Sequence, residues 1–164
     1  MYVGKRIKLG NSLEVANEYK SIAESNLKAA RLLQINGMYN ECYYYYIQAM
    51  EKNIKAKICT IVDIANPFLA DQMNKIGHSL DEAIDFLLKL VSGNNEVIYE
   101  QIKQQMVEGV LKNIRFSSLH NNVRYPNYSK KYGYSFLKIT CEDCIEIEKM
   151  QERLEKFINE LDRL

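Results

Sequence analysis

An arginine and a histidine separated by four residues, in Arg115-Phe116-Ser117-Ser118-Leu119-His120, form the pair in this chain best suited to chemistry on a phosphodiester. Histidine titrates near pH ~6.5 when unperturbed, so it can take or give a proton at a ribose 2′-hydroxyl or a leaving oxygen. Arginine presents a planar fork of donors that holds a phosphate and stabilises the charge developing on it. Ser117 and Ser118 add hydroxyls able to orient phosphate or water. On one continuous helix the two side chains would diverge by about 140°. Convergence therefore requires the helix to end or distort between them, or a second subunit to complete the site. Otherwise Arg115 interacts with the end of its helix and His120 lies exposed in a loop.

Just beyond this pair, Arg124, Tyr125, Lys130, Lys131 and Tyr132 interleave cations with aromatic rings. That pattern can hold phosphates and offer flat faces to bases. The bland alternative is that Tyr125 and Pro126 pack the loop onto the body while the charges stay solvated. Nothing in the stretch reads a base sequence. Charge distribution points the same way. Residues 103–138 carry seven basic side chains against one acid, Glu108, leaving 15 basic and 20 acidic residues elsewhere. A segment of +6 on a body of −5 favours an anionic ligand. If Arg124, Lys130 and Lys131 line a concave surface, binding is supported; scattered over a convex one, they argue against both functional readings.

The remaining reactive residues are less suggestive. Cys141 and Cys144 form a C-x-x-C at a helix start, but redox motifs of that kind follow a strand, and a zinc site needs two further paired ligands. Two helix-facing thiols are expected. His78 precedes a helix and is read as a turn or capping residue. No glycine-rich phosphate loop or set of metal carboxylates is evident, so neither ATP hydrolysis nor nucleotidyl transfer is assigned, and no cofactor or metal is expected. No run approaches the ~18 apolar residues of a membrane span, and the N-terminus lacks a signal-peptide core. A cytoplasmic protein with reduced thiols is expected.

These residues must be positioned by helices. The chain has 164 residues, 47% of them hydrophobic, with only 7 Gly and 2 Pro, which argues for one domain of long helices and short connections. The first eleven residues are read as a loose N-terminal segment. Five helices are expected: about Ser12 to Asn36, stopped by Gly37; Tyr39 to before Asn66-Pro67; one opened by Ser79 and Glu82 and stopped by Gly93; Asn95 to near Phe116; and Thr140 to the C-terminus. Residues 117–134 are read as loop, and no strand is expected. In the second helix, Tyr43, Ile47, Met50, Ile54, Ile58 and Ile61 fall on one face, with Tyr39 and Tyr46 at its edge. Tyr45 falls on the opposite side, either as a surface aromatic or as part of a subunit interface. The fold class is all-α, an antiparallel helical bundle.

Several stretches resemble HEPN domains. "AARLLQINGMYNECYYYYIQAMEKNIKAKI" is similar to the two-helix opening of that family, "GHSLDEAIDFL" to its third-helix start, "VRYPNY" to the Arg-Tyr-Pro element before its final helix, and "CEDCIEIEKMQERLEKFINEL" to its closing helix. The resemblance spans roughly residues 15–162. It implies a helical bundle, frequent dimerisation, so that a homodimer is expected here, and one of two roles. One is a nucleotide- or RNA-binding companion of a minimal nucleotidyltransferase. The other is a metal-independent endoribonuclease, a toxin or defence effector held by an antitoxin partner, with Arg115 and His120 catalytic. The position after the motif arginine is often polar in nuclease members; here it is Phe116. A purely structural dimerisation domain is the third alternative.

Overall fold

The computed structural model describes residues 3–63, 65–93 and 95–161. Its elements in chain order are α1 (Ser12–Ile35), α2 (Tyr39–Ile61), α3 (Pro67–Ile76), α4 (Leu80–Ser92), α5 (Glu96–Gln104), a π-helical turn (Gln105–Val110), α6 (Leu119–Asn122), β1 (Asn127–Ser129), β2 (Gly133–Ser135) and α7 (Cys141–Glu160). This is the expected all-α helical bundle, with one small hairpin added. None of the described helices is long and apolar enough to cross a membrane.

α1 and α2 form a helical hairpin. Asn11 caps α1 by accepting from the Glu14 N–H at 2.9 Å. At the other end Gly37 takes φ 73°, so Met38 N–H can donate back to Leu33 C=O at 2.9 Å. Ala16, Ala23 and Ala30 recur every seven residues and are buried. Having nothing beyond Cβ, they let α2 approach closely. The buried face of α1 therefore runs through the alanines, and Ile22 beside them is exposed.

α2 is the central element, packed by α1, α4 and α7. Tyr43, Ile47, Met50, Ile54 and Ile58 are buried as their spacing predicts. Because three helices enclose α2, burial extends past that stripe. Tyr46, Gln48, Glu51, Lys55 and Lys57 are buried too, whereas Ile61, at the helix end, is exposed. Tyr45 is half-buried against the core and meets Tyr44 edge-on at 5.8 Å. It does not stand free of the bundle.

Three features depart from the expected elements. Asn66-Pro67 does not merely stop α2; it starts α3, with Asn66 accepting from Phe68 N–H at 3.0 Å and Pro67 in the first turn. The helix from Asn95 does not reach Phe116. It loosens into the π turn, where Leu111 N–H donates to Met106 C=O at 2.9 Å, and is broken by Lys112 and Asn113 in left-handed conformation (φ 52° and 61°). The reversal lets Phe116 enter the core, where it is 1% exposed. Finally, part of the expected loop is an antiparallel hairpin with Tyr128 opposite Tyr134, their rings 5.5 Å apart. Strands of three residues are too short for alternation to reveal.

Candidate functional site

The segment from Arg115 to Leu137 is held on the bundle by three anchors. Phe116 plugs the core. On either side of its backbone, the Asp81 carboxylate in the first turn of α4 accepts from Phe116 N–H at 3.1 Å and Ser117 N–H at 2.7 Å. The third anchor is Asn40, which the sequence did not single out. Its amide nitrogen donates to Val123 C=O at 2.8 Å and Leu137 C=O at 2.7 Å, and its oxygen accepts from Ile139 N–H at 3.0 Å. One side chain thus ties both ends of the hairpin segment to the start of α2. Replacing Asn40 by Ala leaves three backbone groups without these partners, at an expected cost of about 1–3 kcal/mol. Hydrogen–deuterium exchange should then rise across residues 123–139 and stay unchanged in the α1–α2 hairpin; uniform exchange would refute this role.

Arg115 and His120 are in different surroundings. The helix ends at Val110, before both residues and not between them, and no hydrogen bond links the two side chains. Arg115 is exposed and makes no side-chain hydrogen bond or ion pair among the described residues. It lines a groove of ≈620 Å³ with an apolar floor from Ile84, Leu88, Leu111 and Ile114 and a rim that includes Ser79 and Ser117. Ser118 is exposed at the start of α6.

His120 lies on α6 and touches aromatic rings instead. Its imidazole is 5.3 Å from the ring of Tyr44 and 6.2 Å from that of His78, with the two imidazoles parallel to within 2°. Arg124 follows four positions later, on the same side of this short turn, and its guanidinium lies 4.6 Å from the Tyr44 ring and 4.8 Å from that of Tyr125. The residues brought together are Tyr44 from α2, His78 from the α3–α4 turn, His120 from α6, and Arg124 and Tyr125 from the loop beyond it. Sequence reasoning missed Tyr44 and His78. The one available signal was that the chain has only two histidines.

Beneath this face lies a buried charge cluster. Glu51 is fully buried, and its Oε1 accepts from Lys55 Nζ at 2.7 Å and Lys52 Nζ at 3.0 Å. Lys55 also donates to Gly77 C=O, tying α2 to the turn that carries His78. His78 Nδ1 is 3.7 Å from the same Glu51 oxygen. Burial alone would raise the Glu51 pKa, but the Lys55 hydrogen bond and the Lys52 and Lys55 charges outweigh it, so the carboxyl is held below its ordinary range. Glu51 Oε2 and Gln48 Nε2 are buried without a hydrogen-bond partner among the described residues.

The basic hairpin is only partly concave. Lys131 lines a hollow of ≈400 Å³ with Asn122, Asn127, Ser129 and Tyr132, and its ammonium lies 4.8 Å from the Tyr132 ring. Lys130 is exposed in the β1–β2 turn. Tyr125, Tyr128 and Tyr134 are all exposed, so Tyr125 does not pack the loop down; Val123 does, being buried. The thiols point elsewhere. All four cysteines are free; Cys144 is buried with its Sγ donating to Tyr39 C=O at 3.4 Å, and Cys141 is half-buried. No group of three or more His, Cys, Asp or Glu side chains among the described residues is placed to hold a metal.

A helical bundle with α2 at its centre and a polar, aromatic face where the segment after the π turn crosses it defines the class. The chain belongs to the HEPN domain family, whose model matches residues 16–164. No curated protein and no solved structure matches the chain significantly.

Proposed function

We propose that the chain is an RNA- or nucleotide-binding module whose contact face is built by Tyr44, His78, His120 and Arg124, and that it acts with a partner protein such as a separately encoded minimal nucleotidyltransferase. The observation that carries this reading is the Tyr44 ring, flanked by the His120 imidazole and the Arg124 guanidinium. Planar groups beside a cation suit a base and its phosphate together. Arg124, Tyr125, Lys130 and Lys131 extend the cationic and aromatic surface toward the hairpin.

The test is affinity for a labelled single-stranded oligoribonucleotide, measured by fluorescence polarisation over a range of salt. Tyr44→Ala should weaken binding by about 5- to 150-fold, the equivalent of one lost stacked base at ~1–3 kcal/mol. Arg124→Ala should weaken it and also lower the salt slope by about one phosphate contact. Affinity unchanged in both variants would remove the face from consideration and leave assembly as the better account.

A second reading, a metal-independent endoribonuclease of the toxin or defence type, is favoured by one observation: the chain's two histidines lie parallel, and His78 faces a buried carboxylate. It expects cleavage in the presence of a chelator, lost in His120→Ala and Arg115→Ala while both stay folded. Equal cleavage by all three proteins would dismiss that motif.

A further inference from the structure

Both histidines of this chain, 42 positions apart in sequence, end up with parallel rings 6.2 Å apart. They reach one another from different elements, His78 from the turn between α3 and α4 and His120 from α6. We propose that His78 and His120 together are the acid–base pair of the face, acting on a single-stranded RNA phosphodiester, with Arg124 carrying the phosphate and Glu51 positioning His78. The proposal rests on the ribonuclease reading of this face and differs from it in the residues that act: a second imidazole, not Arg115, completes the reacting pair.

The geometry supports two imidazoles working on one linkage. Transesterification needs a base at the 2′-oxygen and an acid at the 5′-oxygen, on opposite sides of the phosphorus. Parallel rings whose centres are 6.2 Å apart can approach the linkage side by side from one edge, each reaching one of the two bridging oxygens through a hydrogen bond of ~3 Å. His78 is largely exposed, with 73% of its side chain accessible, while Nδ1 faces the buried Glu51 at 3.7 Å. That leaves Nε2 for the substrate. Asn121 Oδ1 lies 3.3 Å from His120 Nδ1, which likewise directs His120 Nε2 outward. Arg124, held between Tyr44 and Tyr125, supplies a fixed positive charge on the His120 side.

The step balances without a metal or a second reagent. His120 takes the 2′-hydroxyl proton as the 2′-oxygen bonds to phosphorus. The bond from phosphorus to the 5′-oxygen breaks, and His78, as imidazolium, gives that oxygen its proton. The products are a 2′,3′-cyclic phosphate end and a 5′-hydroxyl end. Proton exchange with solvent restores the two rings. The charged and titratable groups facing the pair are Glu51, Lys52 and Lys55 from α2, Tyr44 from α2, and Arg124 beyond α6.

The experiment uses two probes of one sequence: a single-stranded oligoribonucleotide, and its fully 2′-O-methylated counterpart, which binds but has no nucleophile. With chelator present, His78→Asn and His120→Asn should each lower the single-turnover cleavage rate at saturating protein at least 100-fold, so that any change in affinity does not enter the comparison. Glu51→Gln, compared under conditions where it stays folded, should lower the same saturating rate in the parent but not in the His78→Asn background, since it acts through that imidazole. The imidazole C2–H resonances, only two in this protein, should both move when the parent binds the methylated probe. The parent rate should be bell-shaped in pH, with one limb missing in each histidine variant. Parent-like cleavage by His78→Asn, or a 5′-phosphate on the product, would overturn the pair and leave the nuclease reading standing. Binding of the methylated probe with no cleavage of the unmodified one by the parent would overturn catalysis altogether and leave the binding module. Neither binding nor cleavage would remove both.

Discussion

Glu51→Gln should cost about 3–5 kcal/mol of stability, more than any surface change in this chain, because it removes one partner of a buried ion cluster and leaves the others uncompensated. Glu51 is inaccessible to solvent and receives both Lys52 and Lys55, and the Lys55 side chain is itself buried. The amide that replaces the carboxylate keeps the shape but cannot balance a buried ammonium. Urea unfolding at pH 7 is the measurement, with the loss read from the midpoint at constant slope. The pH dependence has a definite sign. The folded carboxyl titrates below its ordinary value of 4.5, so its contribution is fully present above that value and is lost as pH falls through the folded one. The gap between parent and variant should therefore narrow in acid. A double change, Glu51→Met with Lys55→Met, should recover much of the loss, since a buried pair replaced by apolar residues of similar volume is often neutral. If Glu51→Gln unfolds within 1 kcal/mol of the parent, the cluster does not hold α2 to the His78 turn.

Phe116→Ala is the second large effect, about 3–5 kcal/mol from lost burial and the cavity left behind. Its further consequence is local. Phe116 is 1% exposed and stands directly between Arg115 and Ser117, with the Asp81 carboxylate gripping its own N–H and that of Ser117. Without the ring, the segment from Ile114 to Val123 keeps the Asp81 grip but loses its apolar seat. His120 and Arg124 should then drift from Tyr44. RNA affinity is expected to fall even though the ring itself touches no ligand, and hydrogen–deuterium exchange should quicken first across residues 114–123. Phe116→Leu, which keeps much of the volume, should cost less than about 1.5 kcal/mol and preserve affinity. Equal affinity in all three proteins would mean that the face is organised independently of this anchor. The same residue accounts for a departure from the family's nuclease pattern: a polar side chain could not replace a core plug.

How much of this was legible in advance can be judged from particular residues. Helix identity along α1, α2, α4 and α7 followed from local rules. Gly37 stops α1, Ser79 and Thr140 cap α4 and α7, and Tyr43 through Ile58 repeat at helical spacing. Caps and periodicity act within one or two turns, so a sequence shows them directly. The family was legible for the same reason, since its motifs lie along those helices. Asn66-Pro67 was ambiguous, because proline both forbids helix before it and favours helix starting at it. The end of the helix at Val110 was not readable. Nothing between Glu96 and Phe116 breaks a helix outright, and the left-handed turn at Lys112 and Asn113, closed by Asn113 N–H donating to Val107 C=O at 2.9 Å, brings Phe116 into the core.

The candidate site divides in the same way. Arg115, His120 and Arg124 could be named from residue type and spacing, but spacing could not say which of them share a surface. That depends on where α6 lands on α2, which is set by Asn40, Asp81 and Phe116 through bonds between residues 35 to 99 positions apart. His78 read as a turn residue because its neighbours in sequence are turn residues, and its neighbour in space, His120, belongs to another element. The sequence by itself determined a helical bundle of the HEPN family with a basic, aromatic segment after its middle helices. Only the tertiary structure decided that this segment presents His120 and Arg124 to Tyr44 and His78, because long-range packing alone relates elements that no local rule connects.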